Sequence, residues 1–192
     1  MHSDKHTAET DDRKLLARLR QGDQEAFDAL FRRYYPSLVG LVEGMLRRRS
    51  VAEELVQDVM LELWRRREAL FVEESLRAYL FQAARNRALN HVRRERVEQR
   101  GEPYARGASA VAPAGLAVLV EQELGAAIRR AVDALPAPHR EVFELSRTGG
   151  LRYAEIARVL GVSVKTVEAR MGRALRSLRE QLAPWLPGGG DL

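Results

Sequence analysis

Asn86, Asn90 and Arg93 stand at i, i+4 and i+7, the spacing that gathers side chains on one face of a helix. An asparagine amide can pair its donor and acceptor with a base edge, and an arginine can hold phosphates. Tyr79 lies upstream on the same expected helix, where an aromatic ring can stack on an unpaired base. The surrounding segment, residues 85–96, is strongly basic. By itself it fits either a nucleic-acid surface or a solvated basic face. A second set follows Ser163: Lys165, Thr166, Glu168, Arg170 and Arg173 fall on one expected helix. A third is acidic and polar, with Glu53, Glu54, Gln57, Asp58 and Glu62 opposite an apolar stripe. Negative charge repels DNA, so that face suits a basic protein surface, with Met60 expected to be exposed beside it, or else plain solvent.

Covalent chemistry finds little support. There is no cysteine, which excludes disulfides, thiolate zinc ligands and thiol redox chemistry. The 4 histidines, His2, His6, His91 and His139, show no metal-ligand spacing, so no metal or cofactor is expected. No P-loop, GxGxxG or nucleophile motif occurs, and the chain is not expected to be an enzyme. The 192 residues carry 32 Lys and Arg against 27 Asp and Glu, a net charge of +5 that favours a polyanionic partner. No apolar run reaches membrane-spanning length, and the polar first residues lack a signal-peptide core, so a cytoplasmic protein without membrane insertion is expected.

These residues need helices to position them, and the apolar spacing supplies them almost everywhere, so the fold class is all-α. Asp11 or Asp12 is expected to cap a first helix bearing Leu15, Leu16 and Leu19. Gly22 and Asp23 end it and start the next, which Pro36 is expected to interrupt. Residues 51–67 form a helix with Leu55, Val59 and Leu63 inward, residues 69–75 a connector, and residues 75–99 one long helix. Gly, Pro, Ala and Ser dominate residues 101–115, and periodicity is lost there, which marks a domain boundary. The expected domains are residues 11–100 and 120–186, joined by a flexible linker over 101–119. Periodicity resumes at Val120, and Pro136 and Pro138 mark a stop and restart. Gly188 to Gly190 reads as a frayed tail.

Residues 153–171 are the most specific stretch. Ala157 is small where two helices cross, Gly161 suits a turn at positive φ, and Ser163 can cap the following helix. Val162 and Val167 are placed to pin that helix against its predecessor. This is helix-turn-helix spacing, in which the second helix enters the DNA major groove.

With both domains in view, the chain resembles bacterial RNA polymerase sigma factors of the extracytoplasmic-function (ECF) class. The resemblance rests on Ala26-Phe-Asp-Ala-Leu-Phe-Arg-Arg-Tyr-Tyr35, on Ala52-Glu-Glu-Leu-Val-Gln-Asp-Val59 with Leu63 and Trp64, and on Tyr79-Leu-Phe-Gln-Ala-Ala-Arg-Asn-Arg-Ala-Leu-Asn90. Leu135-Pro-Ala-Pro-His-Arg-Glu-Val-Phe143 and Tyr153-Ala-Glu-Ile-Ala157 with Thr166 and Val167 complete it. It implies a region-two bundle and a region-four helix-turn-helix, with the function of binding core polymerase and directing promoter-specific initiation. It implies that Glu54, Gln57, Asp58 and Met60 dock on the β′ coiled coil, with the β flap as a further polymerase contact. Phe71, Tyr79, Asn86, Arg87, Asn90 and Arg93 are implied to recognise and melt the −10 element. Ser163, Lys165, Thr166, Glu168, Arg170 and Arg173 are implied to read the −35 element, and an anti-sigma factor is an implied partner. Glu168 and Ala169 depart from the Lys-Ser of many relatives, and residues 111–120 are unusually apolar for a linker. Two other readings remain at this level. A free-standing helix-turn-helix regulator would need a dimer face and a ligand pocket, and an RNA-binding or structural protein would bind any single strand alike.

Overall fold

Asp23 does what its position implies: its carboxylate accepts the Ala26 N–H at 3.2 Å and opens the second helix. Gly22, at φ 81°, makes the turn before it. The computed structural model describes residues 3–70, 72, 75–98 and 116–185. Within them lie α1 (Ser3–Arg20), α2 (Gln24–Leu46), α3 (Arg49–Arg65), α4 (Leu76–Glu98), α5 (Leu116–Asp133), α6 (Ala137–Arg147), α7 (Tyr153–Leu160) and α8 (Val164–Gln181). A short 3-10 turn, Ala183–Trp185, follows α8, and there is no strand among the described residues.

Several expected boundaries move. Asp11 and Asp12 lie inside α1 and do not cap it, because the helix already starts at Ser3. Asp12 is buried and turns inward to α2. There it takes a 2.6 Å hydrogen bond from Arg33 Nη1 and the Tyr34 hydroxyl proton. Pro36 does not interrupt α2, which runs straight through it. A helix-interior proline costs about 3 kcal/mol. Leu30, Leu38, Leu41 and Val42 on the same helix are at most 1% exposed, and each such side chain gains roughly 1.5–3 kcal/mol by burial. Burial therefore outweighs the proline. Helix α5 begins at Leu116, within the stretch expected as linker, and the Gly-rich part of that stretch and residues 188–190 lie outside the described residues.

In the first body α2 packs on α1, α3 and α4. Val56, Val59, Leu63, Leu80, Phe81, Ala84 and Ala88 fill the space between the helices. In the second body α8 packs on α5, α6 and α7. The two bodies are in contact. One continuous core runs from Leu16 and Leu30 through Phe81 to Leu145, Leu151, Ile156 and Met171. Helix α4 touches α7, and α2 touches α6. Gly149 sits at this junction because a Cβ there would lie 2.6 Å from the Leu145 carbonyl oxygen and 2.8 Å from the Phe81 ring.

Candidate nucleic-acid interface

The α7–α8 unit is a helix-turn-helix built as its residues dictate. Glu155, buried, accepts the Arg152 N–H at 2.8 Å and closes the first turn of α7. Ala157 is buried where α8 crosses. Gly161 takes φ 66°, and the Val162 N–H returns to the Ala157 carbonyl at 2.9 Å. Ser163 Oγ then accepts the Thr166 N–H at 3.1 Å, which starts α8. Val167, Met171, Ala174 and Leu178 bury one side of α8. The opposite side is thereby turned out: Ser163, Lys165, Glu168 and Arg173 are exposed, and Arg170 is half-buried. Thr166 is half-buried too, with its hydroxyl 2.9 Å from that of Ser163.

Helix α4 presents the second surface. Ser75 caps it through the Ala78 N–H at 3.2 Å. Leu80, Phe81, Ala84 and Ala88 hold its inner side. Asn86, Asn90 and Arg93 all emerge exposed on the outer side, as their spacing requires. Arg93 Nη1 reaches Asn90 Oδ1 at 3.4 Å. Tyr79 is half-buried at the upstream end, and Phe71 lies outside the described residues.

The acidic surface belongs to α3. Glu54, Gln57 and Asp58 are exposed, whereas Met60 is 1% exposed and faces the core. The expectation of an exposed Met60 is therefore corrected. Position 60 continues the inward stripe of Val56, Val59 and Leu63, and a thioether fills an irregular core gap readily. Asp58 and Arg87 meet across α3 and α4 at 3.0 Å, which joins the acidic face to the basic one.

Sequence reasoning missed the polar contacts between the bodies. Arg85, expected within the basic face, ion-pairs with Glu141 of α6 at 2.6 Å, each side chain 19% exposed. Arg77 Nη1 donates to the Gly150 carbonyl at 3.1 Å. Arg47, left-handed at φ 56° after α2, pairs with Asp133 at the end of α5. Pairs this distant in sequence have no local signal. Among the described residues no group of three or more His, Cys, Asp or Glu could hold a metal ion. No described helix is long and apolar enough to cross a membrane.

The comparisons with known proteins agree with this geometry. The family model for Sigma-70 region 2 matches residues 30–98, and that for Sigma-70 region 4 matches residues 125–178. The ECF RNA polymerase sigma factor SigK of Mycobacterium tuberculosis (strain H37Rv) is 36% identical over 173 residues, which is 88% of this chain and 91% of that protein. SigK of Mycobacterium ulcerans is 34% identical over the same shares. Among solved structures, CnrH in complex with the cytosolic domain of CnrY matches with TM-score 0.65 and 26% identity, over 91% of this chain and 98% of that one. RpoE in complex with the anti-sigma factor NepR from Bartonella quintana matches with TM-score 0.66 and 26% identity, over 81% and 96%.

Proposed function

This chain belongs to the ECF RNA polymerase sigma factors, and from that membership we infer how its three surfaces divide the work. It is a sigma factor that binds core polymerase and directs promoter-specific initiation. The free-standing regulator reading is set aside, because the relatives are sigma factors over almost the whole chain.

The domain assignment is residues 11–100 for the polymerase-docking and −10-reading body and residues 120–186 for the −35-reading body. In the first, Glu54, Gln57 and Asp58 offer a charged and polar strip to a basic coiled coil of core polymerase. Met60 supports that strip from beneath. Asn86, Asn90 and Arg93, with Arg87, Tyr79 and Phe71, take the opened strand of the −10 element. Extruding a base costs a few kcal/mol. Stacking on an aromatic ring returns roughly 1–3 kcal/mol per base, and the amides add edge contacts.

In the second body, the exposed side of α8 enters the major groove of the −35 element. Lys165, Arg170 and Arg173 reach phosphates or guanine edges. Glu168 can accept from a cytosine amino group, and Ser163 and Thr166 mark the end of α8 that meets the bases. The chain performs no covalent step; RNA synthesis belongs to the polymerase. Its place of work is the cytoplasm, where the polymerase is. An anti-sigma factor is a fitting partner, as for the RpoE that NepR binds.

The observation that carries the residue assignments is the outward disposition of the α4 and α8 faces while both helices are locked inward by apolar side chains. The test is capture of core polymerase by the full chain and by Asp58→Arg. Loss of capture of at least tenfold, with the fold kept by circular dichroism, is expected. Equal capture would remove α3 from the docking surface.

A further inference from the structure

Glu168 is the one anion in the first half of α8, and it is exposed. Buried Val167, Met171 and Ala174 fix which way the helix faces and so hold Glu168 outward. Among the described residues no ion pair or hydrogen bond reaches its carboxylate. The positions four residues away on either side are Val164 and Gly172, neither of them a cation. A Cβ on Gly172 would meet nothing within 4 Å, so the turn beside the carboxylate is bare. The helix itself gains little from an acid there. α8 starts at Val164, which makes Glu168 its fifth residue, past the first turn where a carboxylate gains from the helix dipole. Against a duplex the charge is unfavourable, because phosphates line both rims of the major groove. A donor on a base edge is what can offset it there.

The other polar groups at that end of α8 are engaged or of the wrong kind. Ser163 Oγ accepts the Thr166 N–H at 3.1 Å and lies 2.9 Å from Thr166 Oγ1, so both hydroxyls serve the cap. Exposed Ala169 and Gly172 bring no polar side-chain atom. Lys165 is exposed too, but an ammonium only donates. An ionised carboxylate only accepts. In the major groove guanine shows N7 and O6 and thymine shows O4, all acceptors that repel it. Adenine sets its N6 amino group beside the N7 acceptor, whereas cytosine shows its N4 amino group with no acceptor next to it. We propose that Glu168 is a specificity-determining residue, which accepts from the N4 amino group of one cytosine in the duplex that α8 reads and rejects the other three bases at that position.

Much of this selection is rejection. Cations on phosphates draw α8 to any duplex, and a carboxylate set against an acceptor subtracts from that attraction wherever the base is wrong. Removing the charge therefore relaxes selectivity more than it weakens binding. Glutamine keeps the length of the side chain and adds two donors to its acceptor. Its amide matches the N6 and N7 pair of adenine. Glu168→Gln thus turns a requirement for cytosine into a preference for adenine, a change that a loss of helix stability does not produce.

The inference rests on the sigma-factor reading, in which α8 lies in the duplex of the upstream element. Core polymerase with the wild-type chain is first run on genomic fragments, and the strongest promoter found supplies the template. Every base pair of its upstream element is then replaced in turn by the other three. Initiation is measured for the wild-type, Glu168→Gln and Glu168→Ala chains. The wild type is expected to show one position where cytosine is required and each replacement lowers initiation by about fivefold or more. At that position Glu168→Gln is expected to favour adenine, and Glu168→Ala to bring the four bases within about threefold of one another, with the other positions unchanged. A wild-type scan with no such position overturns the inference, and so does a Gln or Ala chain that keeps the wild-type profile throughout. Should a variant not fold by circular dichroism, the wild-type scan still decides. Failure of the wild-type chain to direct initiation on any fragment is a different result: it defeats the sigma-factor reading, and the inference with it.

Discussion

Asp12 is a residue whose removal is felt on a neighbouring helix. It lies 6% exposed and joins α1 to α2 by accepting from Arg33 and Tyr34; burial, and then this carboxylate, push the Tyr34 phenol well above its usual range. Breaking one side of a buried charged pair costs several kcal/mol because the partners stay behind unpaired. Asp12→Ala is therefore expected to lower unfolding free energy by about 3 kcal/mol in urea titrations. Asp23 is the contrasting case, half-buried at the helix end. Hydrogen bonds from Arg18 and from the Ala26 N–H hold its carboxyl below the usual 3.8. The cap it gives α2 is fully present at neutral pH, and is lost only as pH falls through that lowered value. Carbon-detected NMR titration is expected to place Asp23 below 3.8 and to return it toward that value in Arg18→Ala.

At the level of helices, α8 and α4 differ in what they ask of nucleic acid. On the proposed function the α8 cations meet a closed duplex, so their contribution is largely counterion release. Lys165→Ala is expected to weaken holoenzyme binding to −35 duplexes of any sequence and to flatten the log K against log salt slope by about one. An unchanged slope would take Lys165 off the phosphates. On the same reading the α4 face takes an opened strand, so Asn90→Ala is expected to slow strand opening, read by permanganate footprinting, while duplex binding holds.

The helices themselves were largely legible, because Ala157, Gly161, Ser163 and Val167 each impose a local geometry that the structure keeps. Asn86, Asn90 and Arg93 share a face for the same reason. Pro36 misled because burial along α2 exceeds the cost of a lost hydrogen bond. Met60 misled because a methionine beside an acidic strip looks exposed until the position of Val59 and Leu63 is known. The Arg85–Glu141 and Asp58–Arg87 pairs were illegible, since nothing local marks which partner a surface arginine finds.

At the scale of the molecule, the two bodies share one hydrophobic core. Each alone offers a modest DNA surface, and tethering two such surfaces raises affinity only when their separation matches the template. On the proposed function, core polymerase supplies that separation and docks on the α3 strip. Asp58 pairs with Arg87, so on the proposed docking, engagement of Asp58 frees a cation on α4. Free chain is accordingly expected to bind promoter duplex no better than scrambled duplex at physiological salt, by fluorescence anisotropy. Nanomolar sequence-specific binding by the chain alone would show that the bodies engage DNA without the machine. The most direct measurement is transcription reconstituted from this chain and core polymerase on a library of genomic fragments, with start sites sequenced. The account predicts starts confined to fragments that share two upstream elements at one spacing, and their loss with Asp58→Arg. Starts no different from those of core polymerase alone would contradict it.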